Sequence, residues 1–242
     1  MRANPLTEKC QRSFESRSHV CFGISPFNSY FSESVIQELA EWGRREFNSV
    51  HFFVPDSPAA FTLEALGYSS EKAASKARKQ GQYTINKICR ALRNLGCTDV
   101  EAWKSIMDWK WLSDRPRYLA LYVRVQELFE NDSDFREECL RASHWVLEKR
   151  TEGVITPDVL RSAVRYFLAE IPLFADTAGI LGVETSVFAY HQSILFIEKL
   201  YAGELALAVG AGQGYVVLDP TSCDPVVLPH RENQASAPAV FL

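Results

Sequence analysis

Polar side chains dominate residues 1–18, and the pattern predicts an irregular N-terminal arm. The run His19-Val20-Cys21-Phe22-Gly23-Ile24 then reads as a buried strand, and Val50-His51-Phe52-Phe53-Val54 as a second. Between them Ile36, Ala40 and Phe47 recur at helical spacing, with Ser34 and Gln37 placed for a capping box. Strand, loop, helix and strand within about 35 residues is the size of a βαβ crossover, which predicts parallel pairing with helices on the sheet faces.

Pro58 and Gly67 suit the start and stop of one helix. Two or three helical segments follow from Ser70 to Leu95, with Gly96 as the stop. Beyond Pro116, Arg117 to Glu130 and Phe135 to Arg150 read as helices. Thr156-Pro157-Asp158 combines an N-cap, a proline at the first helical position and an early acid, so a helix starts there. Pro172 predicts its end near Glu170. A last helix is expected over Ser193 to Ala202, and a strand or hairpin over Ala206 to Leu218. The segment 219–242 holds Pro220, Pro225, Pro229 and Pro238 and reads as an irregular tail. The expected organisation is an N-terminal arm (1–18), one α/β domain (19–218) with a basic helical region at 70–95, and that tail.

Composition supports a single ordinary globular domain: 242 residues, 47% hydrophobic and 23% charged. The net charge of −4 excludes a uniformly basic nucleic-acid binder. Locally the picture changes, because Lys72, Lys76, Arg78, Lys79, Lys87, Arg90 and Arg93 occur with no acid between the first and the last. On a helix, Lys72, Lys76, Lys79, Tyr83, Lys87 and Arg90 fall in one stripe, which suits a phosphate backbone or, more plainly, a solvated face. The six cysteines form no Cys-x-x-Cys pair or Cys/His cluster, so no metal is expected. No signal peptide or membrane-length apolar run is apparent, which predicts a cytoplasmic protein.

Gly23-Ile24-Ser25 places a hydroxyl just past the first strand, where open α/β sheets bind ligands; a serine there is also an ordinary turn former. A hydrolase elbow would need glycine at the position of Phe27. Walker and Gly-x-Gly-x-x-Gly motifs are absent, so no nucleotide cofactor is expected. Tyr166 and Glu170 share a helix face, and Tyr190-His191 precedes the last helix; each pair alone is as compatible with structure as with catalysis.

Taken in order, Gly23-x-Ser25-x-x-Asn28-Ser29-Tyr30-Phe31, Tyr166-x-x-x-Glu170-x-Pro172 and Tyr190-His191 resemble the motifs of the tRNA-dependent cyclodipeptide synthases. Val54-Pro55-Asp56, Thr62-Leu63-x-Ala65-Leu66-Gly67-Tyr68 and the basic region are also similar, so the likeness runs from about Val20 to Tyr215. Asn28 with Tyr190 and His191 resembles the family's Asn-Tyr-His subgroup. The resemblance implies a Rossmann-like sheet similar to the catalytic domains of class I tyrosyl- and tryptophanyl-tRNA synthetases. It also implies joining of two aminoacyl-tRNAs into a 2,5-diketopiperazine without ATP, metal or other cofactor, by a monomer. Ser25 would carry the aminoacyl and dipeptidyl esters. Tyr166 and Glu170 would hold the amine and relay its proton, and Tyr190 would bond near Ser25. Asn28 and His191 would position substrate or support the serine loop. Cys21, Gly23 and Phe53 would line the first aminoacyl pocket, while Lys72, Lys76, Lys79, Lys87, Arg90 and Arg93 would carry tRNA. A silent tRNA-binding relative and a serine hydrolase using Ser25 and His191 are the competing readings.

Overall fold

The computed structural model describes residues 1–219; the expected tail, apart from Asp219, lies outside the described residues. In chain order the elements begin with β1 (Arg2–Pro5), α1 (Glu8–Glu15), β2 (His19–Gly23), α2 (Glu33–Glu46) and β3 (Ser49–Phe53). Next come α3 (Ala59–Ala65), α4 (Ser70–Asn94), α5 (Asp99–Lys104), β4 (Ile106–Met107), α6 (Trp109–Ser113) and α7 (Pro116–Asn131). The rest are α8 (Ser133–Glu148), α9 (Pro157–Leu181), β5 (Ser186–Tyr190), α10 (Leu195–Ala202) and β6 (Gln213–Asp219).

The six strands form one sheet in the order β1-β6-β5-β2-β3-β4. All neighbours pair in parallel except β1, which runs antiparallel to β6 at the edge. This is the α/β sheet flanked by helices that the βαβ pattern predicts. Alternation along β2 divides the core. Val20, Phe22 and Ile24 face α2 and α4, packing with Ile36, Ala40, Trp42, Ile85 and Ile88. Cys21 and its neighbours Phe53 and Phe188 face the opposite layer, with Tyr118 of α7, Phe135 of α8, Ile171 of α9 and Phe196 of α10.

Four expectations change. The N-terminal segment is no loose arm: β1 extends the sheet and α1 is capped by Thr7, whose side chain accepts from the Cys10 amide. An edge strand has one partner and a wet side, so it carries no apolar signal. The cap of α2 is Ser32, which accepts from the Val35 amide, rather than Ser34. The basic region is one unbroken helix, α4, ended by Gly96 at φ +82°. Finally, α9 continues past Pro172 to Leu181. The penalty for an interior proline, about 3 kcal/mol, is offset by burial of Ile171, Leu173, Phe174, Ala175 and Ala178. The kink in α9 falls instead at Asp176 (φ −161°, ψ 56°), which accepts from the Gly179 amide and pairs with Arg117 at 2.6 Å.

One close approach fixes α4 on the sheet. A Cβ on Gly81 would overlap the Cβ of Asp56, in the loop after β3. Asp56 Oδ1 in turn accepts from the Trp109 amide at 3.0 Å, tying the same loop to the start of α6.

Candidate active site

The sheet reverses its order of connection between β2 and β5: the chain leaves β2 toward β3 on one side, while β5 and β6 lie on the other. Ligands of open α/β sheets bind outside the carboxyl ends of strands at such a point. Ser25 follows β2 there, and Tyr190 ends β5.

A tight turn aims the serine. The Asn28 amide bonds the Ser25 carbonyl at 3.4 Å, with Pro26 and Phe27 between them and Phe27 in the left-handed region at φ 63°. A non-glycine residue there costs about 1–2 kcal/mol. The Phe27 ring packs against the small apolar cluster of Ala59, Leu63, Ala73 and Ala77, which compensates and anchors the turn on α3 and α4.

From this turn a chain of polar contacts runs through both strand ends. Ser25 Oγ lies 3.1 Å from the Tyr190 hydroxyl. Asn28 Oδ1 accepts from the Tyr30 amide at 3.0 Å, which fixes the amide so that Nδ2 faces Tyr190 Oη at 3.3 Å and His191 Nε2 at 3.2 Å. His191 Nε2 therefore accepts, and the ring carries its proton on Nδ1. The imidazole is stacked on Tyr30 at 4.1 Å and packs edge-on against Phe31. Burial lowers its pKa, so the neutral ring is the resting form.

Across the cavity, α9 presents Tyr166 and Glu170 one turn apart. Tyr166 Oη donates to Glu170 Oε1 at 2.9 Å and also lies within hydrogen-bonding reach of Ser25. Burial pushes the Glu170 carboxyl up to about 8, only partly countered by the Tyr166 bond. Burial, then the neighbouring Glu170, holds the Tyr166 phenol well above its ordinary value. A carboxyl that keeps its proton near neutrality and two phenols thus converge around one serine. The cavity they share has a volume of about 480 Å³, with an apolar wall of Phe167, Phe174, Phe188 and Ile197, and with Lys149 and Arg150 also in its lining.

A family model described as cyclodipeptide synthase matches residues 1–220. The chain belongs to the cyclodipeptide synthase family. It is accordingly an enzyme, an aminoacyltransferase. A cyclo(L-leucyl-L-leucyl) synthase of Bacillus subtilis is 36% identical over 222 residues, covering 89% of this chain and 88% of that protein. A cyclo(L-tyrosyl-L-tyrosyl) synthase of Mycobacterium tuberculosis is 31% identical, covering 89% of this chain and 75% of that one. The crystal structure of a cyclodipeptide synthase from Bacillus thermoamylovorans superposes with a TM-score of 0.84 at 33% identity, over 90% of this chain and 95% of that one. A Mycobacterium tuberculosis structure, described as relating cyclodipeptide synthetases to type I tRNA synthetases, gives a TM-score of 0.78 at 30% identity, over 89% and 91%.

In this synthase the structure brings Ser25, Asn28, Tyr166, Glu170, Tyr190 and His191 to one cavity. Of the three residues expected around the first aminoacyl group, Gly23 lines it, and a Cβ there would press on Phe188 and Tyr190. Cys21 and Phe53 differ from expectation: both are fully buried core residues and neither is among those lining the cavity. The strand's alternation puts Cys21 on the same face as Gly23 but one pleat further from its open end.

The basic stripe is continuous on α4 but unevenly engaged. Arg90 pairs with Glu33 at 2.8 Å, Arg93 with Asp99 at 3.4 Å, and Lys87 Nζ donates to the Phe31 carbonyl at 3.3 Å. The acids absent between Lys72 and Arg93 are thus supplied in part by Glu33 of α2 and Asp99 of α5. Lys72 and Lys76 lie over the Tyr68 ring and Lys79 over Tyr83, with no acid paired to them among the described residues.

Sequence reasoning missed the wall supplied by α8, including Ala142, Ser143 and Trp145, and also Thr62 and Tyr215. Tyr215 Oη donates to the Gln192 carbonyl at 3.0 Å, bracing the loop that follows Tyr190-His191. The exposed face of Trp145 on an otherwise amphipathic helix was the one available signal.

Among the described residues no helix is long and apolar enough to cross a membrane.

Proposed function

We propose that the enzyme, acting as a monomer, joins two aminoacyl-tRNAs into a 2,5-diketopiperazine through esters on Ser25, without ATP, and that it belongs to the Asn-Tyr-His subgroup. The observation that carries this reading is the environment of Ser25 Oγ: the Tyr190 and Tyr166 phenols lie beside it, Tyr166 is bonded to the proton-holding Glu170, and the imidazole of His191 is bonded to Asn28 instead. The hydrolase alternative, with His191 as base, needs that imidazole on Ser25 Oγ, so its bond to Asn28 disfavours that reading. The assembled catalytic cavity likewise disfavours a silent tRNA binder.

In the first step Ser25 Oγ bonds to the carbonyl carbon of the aminoacyl ester, the bond to the tRNA ribose oxygen breaks, and that oxygen takes the serine proton. The substrate is already an activated ester, so no adenylate is required. In the second step the amine of the serine-bound residue attacks a second aminoacyl-tRNA ester, releasing the second tRNA. In the third the new terminal amine attacks the Ser25 ester, closing the six-membered ring and returning the proton to Ser25.

Both amine attacks need a neutral nitrogen. An α-ammonium with a pKa of about 8 meets a Glu170 carboxyl also near 8, so a proton passes between them at little cost. Tyr166 holds the carboxyl in place and lies between it and Ser25. Tyr190 orients the Ser25 hydroxyl. His191, neutral and committed through Nε2 to Asn28, supports the serine loop rather than carrying protons. The apolar wall, and the leucyl-leucyl products of several relatives, favour leucine or another bulky apolar residue as the first aminoacyl group.

Purified protein given leucyl-tRNA and no ATP is expected to release cyclo(Leu-Leu), and mass spectrometry should find a leucyl adduct on Ser25. Hydrolysis to free leucine as the sole product would remove the cyclisation reading.

On this reading the first tRNA lies on α4, where Lys72, Lys76 and Lys79 have no acid paired to them among the described residues. Reversing Lys76 and Lys79 to glutamate should weaken tRNA binding by about 10- to 100-fold at low salt and reduce the slope of log K against log salt by about 2. Reversing Arg90 and Arg93 should do less, because Glu33 and Asp99 already hold them. Equal losses from the two pairs, measured by filter binding across a salt series, would move the contact along the helix.

A further inference from the structure

Beside the catalytic cavity, α8 and the start of α10 enclose a second groove of about 320 Å³. It shares Ala142, Trp145 and Ile194 with the cavity, so one molecule can occupy both. Two large apolar side chains on its wall remain open to solvent, Trp145 at 36% and Leu195 at 46% exposure. Lys149 Nζ covers one face of the indole at 3.4 Å.

The polar groups of the groove include a conspicuous pair. Glu138 is buried, and its Oε1 accepts from Arg141 Nη1 at 2.8 Å and from Lys199 Nζ at 2.7 Å. Its other oxygen, Oε2, is buried with no hydrogen-bond partner. An unpaired buried acceptor is costly, and a ligand donor would relieve it. Arg141, one turn along and half-exposed, has further N–H groups beyond those given to Glu138 and Glu137. An acceptor beside a donor matches the base edge of adenine or cytosine, where an exocyclic amine adjoins a ring nitrogen. On their Watson–Crick edges guanine and uracil present the opposite order, a carbonyl beside a ring N–H. A flat apolar wall completes a base site, since bases stack on aromatic side chains.

We propose that this groove receives the 3′-terminal adenine of the second aminoacyl-tRNA. The base lies against Trp145, its amine donates to Glu138 Oε2, and its ring nitrogen accepts from Arg141. This rests on the acyl-transfer reading above. Every tRNA ends in adenosine and carries its ester on that ribose, so the base nearest the reacting carbonyl is always adenine. Ala59 and Thr62 of α3, which packs on α4, line the catalytic cavity, whereas the groove is lined by α8 and the start of α10; with the first tRNA assigned to α4, the groove is left to the second. Reaching Oε2 takes a rotamer adjustment of the groove's side chains, which is ordinary on binding.

The test loads the enzyme with its first aminoacyl group from ordinary aminoacyl-tRNA. It then compares second substrates ending in adenosine or in purine riboside, which lacks only the exocyclic amine. Wild type should favour adenosine by about ten-fold or more in kcat/KM. In Glu138→Gln, Arg141 and Lys199 both donate to the retained carbonyl oxygen, which turns the amide NH2 to the place of Oε2. There it opposes the adenine amine, so the preference should invert. Each ratio is internal to one protein, so loss of folded material cancels. Trp145→Ala should lower both rates by a common factor. Equal wild-type rates on the two termini, or an unchanged preference in Glu138→Gln, would overturn the proposal. Failure to form the aminoacyl enzyme at all would instead mark the failure of the Ser25 reading, and the groove assignment would fall with it.

Discussion

Ser25→Ala is expected to eliminate both the aminoacyl adduct and the cyclic product, lowering turnover by at least about a thousand-fold, while aminoacyl-tRNA binding changes by no more than a few-fold. Removing one oxygen leaves the turn intact, because the Asn28 amide bonds the Ser25 backbone carbonyl and Phe27 remains anchored in its apolar cluster. The tRNA grip proposed on α4 uses Lys76 and Lys79, not the hydroxyl. Product analysis from cells expressing wild type and variant, with intact-protein mass spectrometry after exposure to aminoacyl-tRNA, checks both halves. Persistent cyclodipeptide from the alanine variant would mean that the two amino acids are joined directly between tRNAs.

The second large effect separates catalysis from stability. Glu170→Gln should cost at least about 100-fold in product formation, the usual range for losing a proton-transfer group, yet it should make the protein more stable in alkali. The folded chain holds the Glu170 proton up to about 8, while an unfolded carboxyl releases it at about 4.3. Between those values the folded state binds more protons than the unfolded state, so wild-type stability falls as pH rises. Above pH 8 the whole penalty is present, and below about pH 4 it vanishes. Glutamine bears no such charge. The variant should therefore resist denaturant better above pH 8 by an amount on the order of 1–3 kcal/mol, reduced from the full shift because the cavity admits water. Urea titrations at pH 5 and 9 measure this. A variant less stable than wild type at pH 9 would show that Glu170 ionises freely in the empty enzyme.

Legibility in the sequence followed the range of the interactions. β2 and β3 stood out because central parallel strands are apolar on both faces, and Thr156-Pro157-Asp158 because a cap is a matter of three adjacent residues. β1 was invisible: a four-residue edge strand shows its register only against β6, more than 200 residues away. Pro172 misled because local chemistry argues for a stop, while the burial that carries α9 onward comes from other helices. At the site, the residues could be named but their roles could not be separated. Asn28 governs the tautomer of His191 across 163 positions, and only the Tyr30 amide says which way the Asn28 side chain points. Glu138 Oε1 meets Lys199, 61 residues along, while Oε2 is left without a partner. Neither relation leaves a trace in spacing or composition.

The missing side chain at Gly81 bears on how substrate is measured out. With no Cβ in the way, α4 sits directly on Asp56, and Asp56 is fastened to the start of α6. Phe27, two residues beyond Ser25, packs on Ala73 and Ala77 of the same helix. On the proposed reading, grip and nucleophile are thus mounted on one bracket, and the span between a phosphate on Lys76 or Lys79 and the Ser25 oxygen becomes a fixed length. Such a bracket would work as a ruler: an aminoacyl ester would reach the serine only when carried on an acceptor arm of the right reach, a selection separate from the one the apolar wall makes among amino acids.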